Sequence, residues 1–209
     1  MTFAYRISGW NRRRKWNLFI RRFSPTGNMS VLDVGFSNKE YSDTDNFLEK
    51  HYPYPEQITA LGIDEPTLFH KRYPAVRAVQ YDGSIFPFPD QSFDICWSNA
   101  VVEHVGERDD QLRFLKEIRR VAQHGYITTP NKFFPVEVHT RVPLLHILLP
   151  KRLFDRFLRY IGKGWATGSY MRLLSKRDLD RLLRDAGFTS YRIVQNRIGL
   201  WTLDFVVLF

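Results

Sequence analysis

Val31-Leu32-Asp33-Val34-Gly35 is a short run of strand-forming residues that closes on an acid and a glycine. The pattern returns along the chain. Ile58 to Ile63 runs into Asp64, Ala78 to Tyr81 runs into Asp82-Gly83, Phe93 to Asn99 follows, and Tyr126 to Thr129 is stopped by Pro130. Runs rich in β-branched and aromatic residues and bounded by turn formers predict strands. The segments between them carry the helical period instead: Gln111 to Ala122 places Leu112, Leu115, Ile118, Val121 and Ala122 on one stripe. Strands alternating with helices imply a parallel sheet covered on both faces.

Toward the end, Ser175 and Asp178 have the spacing of a capping box, Leu179, Leu182, Leu183 and Ala186 share a face, and Gly187 supplies the stop. Ser190–Val194 and Thr202–Phe209 follow as strands, too close together for a helical crossover, so they are expected to pair as an antiparallel hairpin. The expected fold class is α/β, a doubly wound mixed sheet of about seven strands. Asn131–Thr167 breaks the alternation and reads as a helical cap insertion, with Lys151–Gly162 as a basic amphipathic helix whose Leu153, Phe154, Phe157, Leu158 and Ile161 share a face. In open α/β sheets ligands bind beyond the carboxyl ends of the strands, so an insertion after the fifth strand is expected to overhang the site. The domain plan is a basic N-terminal extension over 1–29 and one domain over 30–209 with its cap at 131–167.

The chain has 209 residues, 44% of them hydrophobic, which supports one domain with a real core and excludes disorder as the main state. A single cysteine, Cys96, excludes an internal disulfide and fits a reducing, cytoplasmic setting. No segment has the apolar length of a membrane span. The net charge of +9 is unevenly spread: residues 1–29 hold seven bases and no acid, residues 30–150 hold 12 bases and 17 acids, and residues 151–197 hold 12 bases and four acids. An acidic middle suits a neutral or cationic ligand, and basic flanks suit an anionic surface or substrate. Tyr5, Trp10, Trp16 and Phe19, interleaved with Arg6 and Arg12 to Lys15, leave three readings open: aromatics packed on the domain, a patch for anionic lipid, or a nucleic-acid contact. Nucleic acid is the weakest of these, since no RNA-binding module accompanies the charge.

A strand ending in Asp-Val-Gly beside a second ending in an acid suits a nucleoside-bearing cofactor, with backbone approach at Gly35 and ribose hydroxyls on Asp64. Asp82-Gly83 adds a third strand-end carboxylate, placed for an adenine amino group. No G-x-G-x-x-G loop is present to cradle a pyrophosphate, which argues against a dinucleotide.

Taken in order, Val31–Gly35, Gly62-Ile63-Asp64, the stretch Asp82-Gly83-Ser84-Ile85-Phe86-Pro87-Phe88-Pro89-Asp90-Gln91-Ser92-Phe93-Asp94, and Ser98-Asn99-Ala100-Val101-Val102-Glu103-His104 resemble the successive motifs of class I S-adenosylmethionine-dependent methyltransferases of the type 11 small-molecule group. The resemblance covers about residues 30–130 and continues into the terminal helix and hairpin. It implies a Rossmann-like fold and S-adenosyl-L-methionine as cofactor. By the same resemblance, Asp33 and Gly35, with Phe36 and Ser37 behind them, line the methionine side; Asp64, with Glu65, takes the ribose; Asp82 and Gly83 face the adenine; and Asn99 lies near the transferred methyl. Phe36-Ser37-Asn38-Lys39-Glu40 departs from the family's glycine-rich continuation.

Methyl transfer from a sulfonium is a direct displacement that needs positioning, a base for a protonated acceptor, and no metal. The catalytic candidates are His104, Glu137 and His139, and no metal ligand is expected. The expected function is methyl transfer to a small or lipid-linked acceptor, plausibly a saccharide, by a cytoplasmic protein that is peripheral to a membrane face through its basic flanks. The alternatives are an inactive cofactor-binding module and an RNA methyltransferase.

Overall fold

The structure is a computed structural model describing residues 3–137, 139–168 and 171–209, without the side chains of residues 3–8, so the expectations attached to Tyr5 and Arg6 lie outside the described residues. In chain order the elements are α1 (Phe3–Phe23), β1 (Val31–Val34), α2 (Phe47–His51), β2 (Ile58–Gly62), α3 (Thr67–Arg72), β3 (Arg77–Gln80), β4 (Phe93–Asn99), α4 (Arg108–Val121), β5 (Ala122–Pro130), α5 (Leu145–Leu148), α6 (Lys151–Tyr160), α7 (Lys176–Asp185), β6 (Arg192–Ile198) and β7 (Trp201–Leu208). The seven strands run in the order β3-β2-β1-β4-β5-β7-β6. β1 is parallel to β2 and β4, β2 is parallel to β3, and β6 is antiparallel to β7. This is the expected doubly wound mixed sheet with a terminal hairpin. β1 and β2 are buried at every position, as their apolar runs require of interior parallel strands. β3 is the edge and carries Arg77 and Gln80 exposed.

The chain groups into two compact units, Met1–Trp97 with Val121–Tyr126, and Ser98–Arg120 with Ile127–Phe209. In the first, α1 adds its aromatic face to the core. Phe19 is fully buried, its ring centroid 4.9 Å from Trp97 and 5.5 Å from Tyr126, and Trp16 meets Phe47 and Trp97 edge-on. The Tyr126 hydroxyl donates to the Lys15 carbonyl at 2.8 Å. Of the three readings left open for the basic N-terminus, Trp16 and Phe19 follow the one in which aromatics pack on the domain. Trp10 stays half exposed beneath the Arg14 guanidinium.

In the second unit, α7 starts on the expected capping box: the Ser175 hydroxyl accepts from the Asp178 N–H, and the Asp178 carboxylate accepts from the Ser175 N–H, both at 3.2 Å. Gly187 ends that segment with a φ of 86°, which disfavours any side chain. The hairpin is tighter than expected. β6 and β7 extend toward each other until Ile198 faces Trp201 around Gly199-Leu200, with a bulge at Asn196/Arg197 absorbing the mismatch. Ala122, expected on the α4 stripe, is instead the first residue of β5, which begins four residues before the expected Tyr126 because helix passes into strand without a turn.

The 131–167 segment holds α5, α6 and a small core of Val142, Phe154, Leu158 and Ala166. The apolar face expected for α6 divides: Phe154 and Leu158 are buried, whereas Leu153 and Ile161 are exposed, with Arg152, Arg156 and Arg159 exposed around them.

Candidate functional site

In the first unit the strand ends bring together the residues expected at the cofactor. Gly35 follows β1 with a φ of 108°, a backbone that side chains rarely adopt, and donates its N–H to the Leu61 carbonyl at 2.8 Å. Phe36 then turns inward. Its ring is buried, lies 4.6 Å from that of Phe69, and fills the space over Gly62, where an added Cβ would stand 2.7 Å from it. The Phe36 ring therefore builds the floor of the loop, and its backbone is what remains to face a ligand.

Side chains hold the loop where the family's glycines are missing. The Ser37 N–H donates to Asn46 Oδ1 and Asn46 Nδ2 donates back to the Ser37 carbonyl, each at 2.8 Å, with Asn46 itself left-handed at φ 45°. Asn38 Oδ1 accepts the N–H groups of Leu68 and Phe69 at 2.8 and 3.0 Å, capping the start of α3. Glu40 receives Asn46, the Tyr73 hydroxyl and Lys50. Burial would raise its pKa, but those donors together hold it below the ordinary carboxylate value.

Asp64, just past β2, is exposed, and among the described residues its carboxylate receives only a long 3.5 Å contact from the Asn38 N–H, leaving oxygens for ribose hydroxyls. Glu65 is turned to the Thr67 hydroxyl. Asp82 accepts from Ser84, which shapes the turn at Gly83 (φ 85°). Two residues that the sequence reading passed over complete this edge: Ile63 and Ile85 are each 66% exposed, beside Asp64 and the Asp82–Ser84 turn. Large apolar side chains left in water next to two carboxylates would suit the faces of a purine whose sugar and amino group such acids could hold. Their signal was available as apolar residues lying past the strand ends. The residues present thus fit S-adenosylmethionine.

Within β1, Asp33 is buried, as is Glu49 of α2. Burial, the Glu49 charge and a hydrogen bond with Glu49 push the Asp33 pKa well up, against the pull of Arg12. Burial also raises Glu49.

In the second unit, Asn99 ends β4 and its Oδ1 accepts the Thr128 hydroxyl at 2.8 Å. Ala100 follows with a φ of 60°, a strained backbone for a residue with a Cβ, held by its N–H bond to the Thr128 carbonyl. The three catalytic candidates meet. His104 Nε2 lies 3.1 Å from His139 Nε2, with the rings perpendicular, and His139 Nδ1 lies 3.0 Å from Glu137 Oε1. Burial would raise Glu137, yet hydrogen bonds from the His139 and Thr140 side chains and N–H groups hold it down at about 2. A carboxylate so acidic only accepts, so His139 Nδ1 carries the proton and its Nε2 offers a lone pair. Glu103, not among the candidates, belongs to the same group: it is fully buried and its Oε2 accepts the Thr129 hydroxyl at 3.0 Å. The unit also holds a partly open cleft of about 690 Å³ lined by Gln111, Glu137, His146, Phe154, Leu174 and Leu182 among others, a volume in the range of small-molecule sites.

Residues 32–128 match the type 11 family described as "Methyltransferase domain". A Mycobacterium tuberculosis protein described as a probable S-adenosylmethionine-dependent methyltransferase is 35% identical over 81 residues, which are 36% of this chain and 28% of that protein. The match therefore spans little more than a quarter of that relative's length. Among solved structures, a SAM-dependent methyltransferase from Aquifex aeolicus superposes with a TM-score of 0.58 at 18% identity, covering 100% of this chain and 98% of that one. The 1,6-didemethyltoxoflavin-N1-methyltransferase of Burkholderia thailandensis, solved with bound 1,6-didemethyltoxoflavin and S-adenosylhomocysteine, does so with 0.58 at 19%, covering 95% and 76%. At these identities the structural likeness is one of fold. The matched domain covers just under half of this chain, and the motif order along β1–β5 and the seven-stranded sheet make the chain similar in fold and motifs to the S-adenosylmethionine-dependent methyltransferases.

Proposed function

We propose that the protein transfers a methyl group from S-adenosylmethionine to a small or lipid-linked acceptor. The observation that carries this is the pairing of the family match over residues 32–128 with the open carboxylate of Asp64 at its expected strand end. When bound, the cofactor would supply an electrophilic sulfonium methyl, open to attack at carbon by an acceptor lone pair with the thioether sulfur as leaving group. The chain's residues do the rest. Asp64 binds the ribose, Asp82 and the exposed Ile63 and Ile85 take the adenine, and Gly35 and Ser37 offer backbone to the methionine. The His104–His139 pair accepts the acceptor's proton, because Glu137 holds His139 in the tautomer whose Nε2 is basic and stabilises the imidazolium that forms.

The acceptor class rests on the second unit. Leu148 is 70% exposed, Leu153 52% and Trp165 54%, in a segment that also exposes Arg152, Arg156 and Arg159. Apolar side chains left in water among arginines suit the interface of an anionic lipid surface. Among the described residues no helix is long and apolar enough to cross a membrane, so this contact is peripheral.

Calorimetric titration with S-adenosylmethionine and S-adenosylhomocysteine, repeated on Asp64→Ala, tests the cofactor half. Micromolar binding that the variant weakens supports it, and silence at millimolar ligand overturns it. Co-sedimentation with anionic and with neutral vesicles tests the acceptor half: binding to anionic vesicles that Leu148→Asp with Leu153→Asp removes supports a lipid-linked acceptor. Equal indifference to both vesicle types returns the choice to a water-soluble acceptor, and steeply salt-dependent RNA binding returns it to RNA.

A further inference from the structure

We infer that Glu103, His104 and His139 form a binding site for one divalent transition-metal ion, with zinc the best fit. This goes beyond methyl transfer: with the ion bound both Nε2 lone pairs are engaged, so the histidine pair serves as a proton acceptor only in the metal-free protein. One ligand atom from each of the three residues lies within 4.8 Å of the other two. His104 Nε2 and His139 Nε2 are 3.1 Å apart. Two nitrogens bound at 2.0–2.1 Å to a tetrahedral ion stand about 3.3 Å apart, so the imidazole pair is already at ligand spacing. The group's outer bound of 4.8 Å exceeds that tetrahedral spacing by at most about 1.5 Å, a distance that a rotation of the Glu103 side chain covers.

Two independent features point the group at a cation. Glu103 is fully buried, and while Oε2 takes the Thr129 hydroxyl, Oε1 has no hydrogen-bond partner among the described residues. A buried carboxylate oxygen left without a donor is costly, and a cation is what satisfies it. The second feature is Glu137, which accepts from His139 Nδ1 at 3.0 Å and so directs the Nε2 lone pair into the cluster. Carboxylate–histidine–metal chains use this arrangement to fix the ligand tautomer and raise its basicity. Two imidazoles and one carboxylate suit zinc or its first-row neighbours, whereas magnesium and calcium prefer all-oxygen sites. Three protein ligands leave a position open, which an acceptor hydroxyl or water would take.

The test uses the full chain without an affinity tag, stripped with chelator and titrated with cobalt(II) as a visible-absorbing probe and with zinc by calorimetry. The expected result is one ion per chain, with cobalt d–d bands of a four- or five-coordinate site. His104→Gln and His139→Gln abolish stoichiometric binding, and Glu137→Gln, outside the ligand set, weakens it about tenfold or more. His139 lies in a partly exposed loop, so its variant carries the test if His104→Gln fails to fold by circular dichroism. Less than one ion bound at micromolar metal, or an affinity unchanged in His139→Gln, overturns the site. Since metal binding is read directly, failure of methyl transfer leaves this result untouched, and the reverse also holds.

Discussion

The carboxyl groups of Asp33 and Glu49 face each other inside the first unit, where only a shared proton gives them a hydrogen bond. Both pKa values are raised, with burial the first cause for each. The folded state therefore holds more protons than the unfolded chain above the ordinary carboxylate range, and stability falls as pH rises through the raised values. Glu49→Gln replaces the shared proton with a permanent N–H donor. The variant should gain melting temperature over the parent at pH 8 and lose that advantage near pH 4. A constant difference across this range would show that the pair does not share a proton.

Glu137 has the opposite sign. Its pKa is held at about 2 against an ordinary 4.5, so its contribution is fully present above 4.5 and is lost as pH falls toward 2. The shift corresponds to about 3 kcal/mol. Glu137→Gln should be destabilised by an amount of that order in urea unfolding at pH 7, with the difference from the parent shrinking below pH 4.5. A difference as large at pH 3 as at pH 7 would assign the loss to packing.

Gly62 ends β2 under the Phe36 ring, and a Cβ there would stand 2.7 Å from a ring carbon. Since Phe36 is itself pinned on Phe69, the ring cannot retreat cheaply. Gly62→Ala should cost about 1–3 kcal/mol in the manner of an overpacked core. The paired change Gly62→Ala with Phe36→Leu should recover part of it, and full additivity of the two would remove the contact as the cause.

The strands and α7 were legible because their signals are local: β1 and β2 are short runs rich in β-branched and apolar residues, and Ser175 with Asp178 is a cap written within four residues. What stayed illegible depends on neighbours far along the chain. Whether Phe36 faced a ligand or the core was set by Phe69 and Gly62, and the split of the α6 face was set by the small core around Val142 and Ala166. The candidates His104, Glu137 and His139 were named one by one as bases. Their joining into a single chain, with Glu103 added, required a fold that carries residue 139 back to the end of β4.

Asn38 is the strongest test of how the loop after Gly35 works without its later glycines. Its Oδ1 takes two α3 N–H groups, and its own backbone N–H is the one that reaches Asp64, so one residue couples the helix start to the acid proposed to bind the ribose. Asn38→Ala removes the cap and should cost about 1 kcal/mol of stability by urea unfolding. Because the loop then loses its anchor beside Asp64, S-adenosylhomocysteine affinity should fall several-fold in calorimetry. Asn38→Asp keeps an acceptor, and its negative charge at a helix start is favourable. That variant should recover the stability while placing a second anion near the Asp64 carboxylate. If both variants bind S-adenosylhomocysteine like the parent, the loop's side-chain scaffold serves the fold alone, and the cofactor is held by the strand ends without it.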